Sequence, residues 1–204
     1  LLAVRLCYFF FCGHDFCNGF LKELLHTRRL VDPRLEGLLT ETSYAFPSVH
    51  AQGSRMFWGY LALAVRRAWF WIGATALVLL ISFSRLYLGI HFPHDVVGGL
   101  LIGLVLLALF VWLQPRVSPV VARWPWLQQV AVGALLPLLL FLLVRSETSA
   151  RALGLLCGAR IALPLEAQTV RFALSGPLLK RLLLFLVGFA GLLTFYLALT
   201  YVMP

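Results

Sequence analysis

Seven apolar stretches, each near the length of a membrane-crossing helix and each bounded by charge, proline or a polar cluster, dominate this 204-residue chain. A helix rises about 1.5 Å per residue, so about 20 residues cover the roughly 30 Å of hydrocarbon in a bilayer. Helices are expected at about 1–21, 48–65, 68–88, 93–113, 126–144, 149–165 and 178–202. The third, AWFWIGATALVLLISFSRLYL, and the fourth, opened by Pro93 where a missing N–H costs nothing, carry the clearest pattern. The sixth is interrupted by Arg151 and Arg160, and Thr169 to Gly176 reads as a short interfacial connector ahead of Pro177. Only 12% of residues are charged and 61% are hydrophobic, about half the charged fraction that wets a globular surface. A soluble fold is excluded. The expected class is all-α, a polytopic transmembrane bundle of about six to seven helices.

Lys and Arg number 17 against 8 Asp and Glu, a formal charge of +9. In a soluble protein that surplus would suggest nucleic acid, but in a membrane chain basic residues gather in the short loops that set topology. No nucleic acid partner is implied. Alternating helices place Lys22 to Pro47, Ser84 to Asp95 and the 145–150 turn on one face. Arg66, Arg67, Arg116, Arg123, Arg171, Lys180 and Arg181 fall on the other. With Lys22, Arg29 and Arg85 set aside for a site, the second face leads in positive charge and is expected to be cytoplasmic. Cys7, Cys12, Cys17 and Cys157 form no C-x-x-C pair and read as small buried hydrophobes. The chain opens on Leu1, with Met only at 56 and 203, so its true start is expected upstream.

Three polar clusters meet on the first face: Lys22 with Arg29, Pro47-Ser48-Val49-His50, and Ser84-Arg85 followed by His91 and Asp95. Together they supply three cationic groups, a hydroxyl, two imidazoles and a carboxylate. A phosphoryl group in transfer spreads negative charge over its equatorial oxygens, so it needs several fixed positive donors. Lys22, Arg29 and Arg85 fit that need. Pro47 can start a helix, which puts the backbone N–H groups around Ser48, Val49 and His50 at its positive end. His91 and Asp95 stand four apart across the Pro93 helix start, so the carboxylate can hold one ring nitrogen and leave the other as a nucleophile. His50 could protonate a departing alkoxide and then activate water.

These residues resemble the three-part signature of the type 2 phosphatidic acid phosphatase (PAP2) superfamily, in its bacterial membrane lipid phosphatase branch. The match runs over about residues 14–113, and SRLYLGIHFPHDVVGG is its most specific part. The resemblance implies a metal-independent phosphatase with no cofactor. His91 would be the nucleophile that forms a phosphohistidine, Asp95 would orient it, and His50 would act on the leaving group. Lys22, Arg29, Ser48, the backbone at Val49, and Arg85 would bind the phosphate. It also implies an integral protein of the bacterial inner membrane with its site on the periplasmic face, a catalytic core over 1–113 and additional transmembrane helices over 114–204. The substrate would be a lipid phosphate or diphosphate.

Two positions depart from the family pattern: Val49 stands where Gly is usual, and Leu30 where Pro is usual. If the backbone at 49 must approach the phosphate closely or adopt a positive φ, a β-branched side chain would cost about 1–2 kcal/mol and displace a donor. Two alternatives stay open on sequence alone. One is a phosphotransferase sharing the first half-reaction; the other is a membrane protein that keeps the fold without the activity, with Val49 its main support. Among the remaining residues, His94 is expected to be interfacial, His14 and Asp15 to steady helix contacts or serve a site, and His26 to line an entrance. Gly98, Gly99 and Gly103 are expected at close helix contacts, and Trp58, Trp69, Trp71, Trp124 and Trp126 in an interfacial belt.

Overall fold

The computed structural model describes residues 2–28, 43–145, 147–169 and 177–202. Among these residues the chain forms α1 (Leu2–Leu25), α2 (Val49–Val65), α3 (Ala68–Tyr87), α4 (Pro93–Ala122), α5 (Trp126–Leu143), α6 (Glu147–Thr169) and α7 (Leu178–Val202), with no strand. The fold class is the expected all-α bundle. The largest departure is α4, which continues past Leu113 through Pro115 and Pro119. Arg116 Nη1 donates to the Trp112 carbonyl and its guanidinium lies 4.3 Å from the Trp112 ring centroid, so the turn containing Pro115 is clasped from outside. The expected connector after Thr169 lies outside the described residues.

Among the described residues, four helices are long and apolar enough to cross a membrane: α3, α4, α5 and Leu178–Ala198 of α7. The other three expected spans form as helices without meeting that measure. Length and polar content are the reasons: α2 has 17 residues and carries Gln52 and Arg55, α1 carries His14, Asp15, Asn18 and Lys22, and α6 carries Arg151 and Arg160. In α1 and α2 several of these groups are buried in the protein, where partners replace the water that lipid cannot supply.

Residues Leu1–Leu165 form one compact unit and Glu166–Pro204 a second. In the second, α7 exposes Leu178, Val187, Leu192 and Phe195 around its circumference, as expected of a helix solvated by lipid. In the first, α2 and α4 run parallel in register. A Cβ added at Gly99 would stand 2.6 Å from the Ser48 carbonyl oxygen, and one at Gly103 2.6 Å from that of Gln52. One turn on, Met56 packs with Leu107 and Phe110. The small residues recur every four positions, so the two backbones approach along one stripe, as the sequence suggested. We expect Gly99→Val to push the start of α2 aside, cost about 1–3 kcal/mol and lower Tm by several degrees in detergent. An unchanged Tm would mean that this contact does not hold the helices.

Helix α1 runs antiparallel to α2, and its two faces do different work. Phe16 on one side packs against the Leu153 and Leu156 cluster of α6, as do Leu140 and Phe141 of α5. The opposite side, at His14 and Asn18, meets Gln52 and Gly53 of α2. Glu23 and Leu24 share a cleft of about 280 Å³ with Leu143 to Arg145, so the end of α5 lies at the same end of the bundle as the end of α1. Trp69 and Trp126, both largely exposed, begin α3 and α5 at the other end. Cys17 and Cys157 are free and half-buried.

Candidate active site

The end of α1 sets the first wall. His26 takes a left-handed φ of 47° and its N–H donates to the Lys22 carbonyl, closing the helix. Thr27 then receives the returning chain: Ala45 N donates to its carbonyl at 2.9 Å and Phe46 N to its Oγ1 at 3.0 Å. That pairing brings Ser43 to Lys22, whose Nζ donates to the Ser43 hydroxyl at 3.2 Å. Lys22 is 7% exposed, and a buried ammonium demands oxygen partners. Arg29 and Leu30 lie outside the described residues, as does most of the polar segment that follows them. His26 is exposed and packs edge-on against Tyr44.

Ser48 is the N-cap of α2 and is completely buried. Its N–H donates to the Asp95 carbonyl at 3.1 Å, so that amide is committed to α4 and cannot serve an anion. The amides that lack an intrahelical acceptor are the next ones along, from Val49 onward. The Ser48 hydroxyl makes no cap bond and has no hydrogen-bond partner. Among the described residues only His26 and Arg66 pair a side chain with a positive φ. Val49 is therefore an ordinary first helical residue, and a glycine is not required there for conformational reasons. His50 is exposed on the same first turn.

A second start, that of α4, lies against the first. Asp95 is completely buried. Its Oδ2 accepts the Phe92 N–H at 2.8 Å and stands 3.5 Å from His91 Nδ1. Its Oδ1 stands 3.2 Å from Nε2 of His94. One carboxylate thus caps the helix, faces the buried His91 ring, and meets an exposed imidazole. His94, expected at the interface, is exposed, and its ring stacks on Phe92 at 5.4 Å and on Phe46 at 6.4 Å while reaching Asp95. Phe46 in turn lies over Gly98, where a Cβ would come within 2.3 Å of the ring. The His91 ring thus turns its Nδ1 edge toward the Asp95 carboxylate, at 3.5 Å.

Arg85 occupies the last turn of α3. Gly89, at φ 66°, turns the chain from there into α4, a conformation that L side chains resist. The Arg85 guanidinium is half-buried and its Nε is a buried donor with no hydrogen-bond partner. The Ser48 hydroxyl on α2 is in the same condition. Buried polar groups are nearly always satisfied. Among the described residues, no group of three or more His, Cys, Asp and Glu is placed to hold a metal ion.

The structure therefore joins Ser48, His91 and Asp95 through direct contacts, sets Lys22 at the end of the helix that faces α2, and puts Arg85 one turn before the α3–α4 connection. His50 follows Ser48 along the same helical turn. Two buried residues escaped the sequence reading, Asn18 and Gln52, whose side chains bond to one another at 2.8 Å. Their signal was visible as spacing: Asn18 lies one turn before Lys22, and Gln52 one turn after Ser48.

Comparison with known proteins gives a consistent picture. The model of the PAP2 superfamily matches residues 7–119, and that of the PAP2 superfamily phosphatase transmembrane extension matches residues 150–204. Phosphatidylglycerophosphatase B of Bacillus subtilis is 33% identical over 101 residues, 45% of this chain and 48% of its own length. Lipid A 4'-phosphatase of Bacteroides thetaiotaomicron is 33% identical over 97 residues, 43% of this chain and 42% of its own. The chain thus spans just under half the length of these relatives. A crystal structure of a transmembrane PAP2-type phosphatidylglycerolphosphate phosphatase from Bacillus subtilis is 27% identical, with a TM-score of 0.44 over 57% of this chain and 68% of that one.

Proposed function

Since this chain belongs to the PAP2 superfamily, we propose that it is a membrane-embedded phosphatase that removes the terminal phosphate of a lipid phosphate or diphosphate, of phosphatidate, prenyl or sphingoid type. The observation that carries this reading is the buried His91–Asp95 contact at the start of α4, with two buried donors that lack hydrogen-bond partners on the neighbouring helices, Ser48 Oγ at α2 and Arg85 Nε on α3. Two donors without acceptors beside a carboxylate-held imidazole suit an anion that is attacked by nitrogen.

In the first step Nε2 of His91 attacks phosphorus, the N–P bond forms, and the bond from phosphorus to the lipid oxygen breaks. His50 gives its proton to that departing oxygen. In the second step His50 takes a proton from water, the new P–O bond forms, the N–P bond breaks, and inorganic phosphate leaves. Asp95 stabilises the positive charge that the His91 ring gains as it bonds to phosphorus. Lys22, Arg29, Arg85, the Ser48 hydroxyl and the amides from Val49 hold the equatorial oxygens. No metal or cofactor takes part in this scheme.

A lipid substrate follows from location. Helix ends at the membrane face admit a head group while its chains stay among lipid-exposed side chains such as Leu101 and Leu104 of α4. Residues 1–113 would form the catalytic core and 114–204 the additional helices, in a bacterial inner membrane with the site facing the periplasm. Val49 in an ordinary helical conformation supports a working site over an inactive relative.

The test is a panel of lipid phosphates and diphosphates assayed with purified protein in EDTA. Release of inorganic phosphate from at least one member is expected. Complete inactivity across the panel would sink the reading, and faster passage of label to an added acceptor than to water would make the protein a phosphotransferase.

A further inference from the structure

One polar stripe of α1 enters the chemistry above only at its last residue. His14, Asn18 and Lys22 recur every fourth residue and share one face of the helix. Lys22 ends the stripe at the phosphate site. Asn18, one turn deeper, is 1% exposed. Its Nδ2 donates to the Pro47 carbonyl at 3.2 Å and to Gln52 Oε1 at 2.8 Å. Gln52 is fully buried, and its own Nε2 reaches back to the His14 carbonyl at 3.5 Å.

Pro47 and Gln52 bracket Ser48 and the first turn of α2. A single α1 side chain therefore grips both ends of that turn. From the other side the turn is held by the Ser48 N–H on the Asp95 carbonyl and by Gly99 against the Ser48 carbonyl. Ser48 supplies no cap bond of its own, so its position depends on these two outside grips. A buried amide pair could simply steady two helices. Here, however, one of the two acceptors is the carbonyl directly preceding the residue whose buried hydroxyl is unsatisfied. A shift of that carbonyl moves the hydroxyl with it.

We infer that Asn18 is a positioning residue of the phosphate site: its amide sets where the Ser48 hydroxyl and the first-turn amides of α2 stand relative to Lys22 and to the His91–Asp95 pair. The inference rests on the phosphate site proposed above, and it is tested by anion binding, apart from turnover. Asn18→Asp keeps the size of the side chain but replaces both donor hydrogens by an oxygen facing two oxygen acceptors. Orthovanadate, a mimic of phosphoryl transfer, is titrated into the purified full chain in detergent. Asn18→Asp is expected to raise the vanadate Kd by about tenfold or more, the scale of one lost strong hydrogen bond, and to lower kcat/KM by a similar factor. Leu153→Ala, in the apolar cluster of α1, α5 and α6, is the stability control. It should leave the vanadate Kd within about twofold even at an equal loss of Tm.

If Asn18→Asp does not fold, Asn18→Ala carries the same expectation. A wild-type vanadate Kd in any folded Asn18 variant overturns the inference and makes the residue structural only. No vanadate binding by the unmodified chain overturns the phosphate site and the inference together. Vanadate binding without phosphate release from any lipid sinks the phosphatase reading, while the Kd comparison still decides the role of Asn18.

Discussion

His91→Ala is expected to reduce phosphate release from a lipid phosphate by about four orders of magnitude or more, to the level of the uncatalysed background. The ring is 4% exposed and stands beside a fully buried carboxylate. Neither neighbouring imidazole is placed as His91 is: His50 lies exposed on α2, and His94 is exposed and turns its Nε2 toward Asp95. The wild-type chain should show a pre-steady-state burst of dephosphorylated lipid when breakdown of the intermediate is slow, and the variant should show none. Removing the ring also leaves Asp95 with one partner fewer in a buried setting, so Tm must be measured beside activity. Activity above about one per cent of wild type in a folded variant would refute the nucleophile.

Asp95→Asn should be almost as damaging to turnover while sparing the fold. The carboxylate has two separable roles. Its Oδ2 accepts the Phe92 N–H at the start of α4, and an amide oxygen can still do that. What Asn cannot supply is the negative charge that favours a positive His91 ring during transfer, or a guaranteed acceptor for Nδ1–H. The analogous change in a serine-protease triad costs about 10⁴-fold in kcat, and a loss of about 10³- to 10⁴-fold is expected here. KM and the vanadate Kd should move far less, because Asp95 holds the ring and not the anion. A variant with near-normal kcat would show that the 3.5 Å contact between His91 and Asp95 has no part in the reaction.

Much of this site was legible as spacing. His91 and Asp95 are i and i+4 around a proline that can only begin a helix, so a meeting of ring and carboxylate was written into the local geometry. The helices too were legible, because lipid leaves the backbone no alternative to internal hydrogen bonding. What escaped was anything that depended on a partner helix. The expected end of α4 at Leu113 assumed that a polar break stops a helix, and Arg116 clasping Trp112 allowed the chain to continue through Pro115. His94 was assigned to the interface because its position along the helix differs from that of His91, yet Phe46, from a distant segment, stacks on its ring. Concern over Val49 came from a pattern, and the backbone of the folded chain answers its conformational half, because Val49 has no positive φ.

By itself the sequence determined the solvent, the all-α class and the order of the helices among the described residues, and it supplied the candidate residues of the site, because each follows from composition and from periodicities shorter than one helix. It could not determine which amides are spent and which remain. The Ser48 N–H is taken by the Asp95 carbonyl, the Pro47 carbonyl by Asn18, and the stripe of Gly99 and Gly103 brings α2 close enough for the first of these to form. Such pairings join residues tens of positions apart, and a hydrogen bond is decided within a few tenths of an ångström. No local pattern carries that information; packing does.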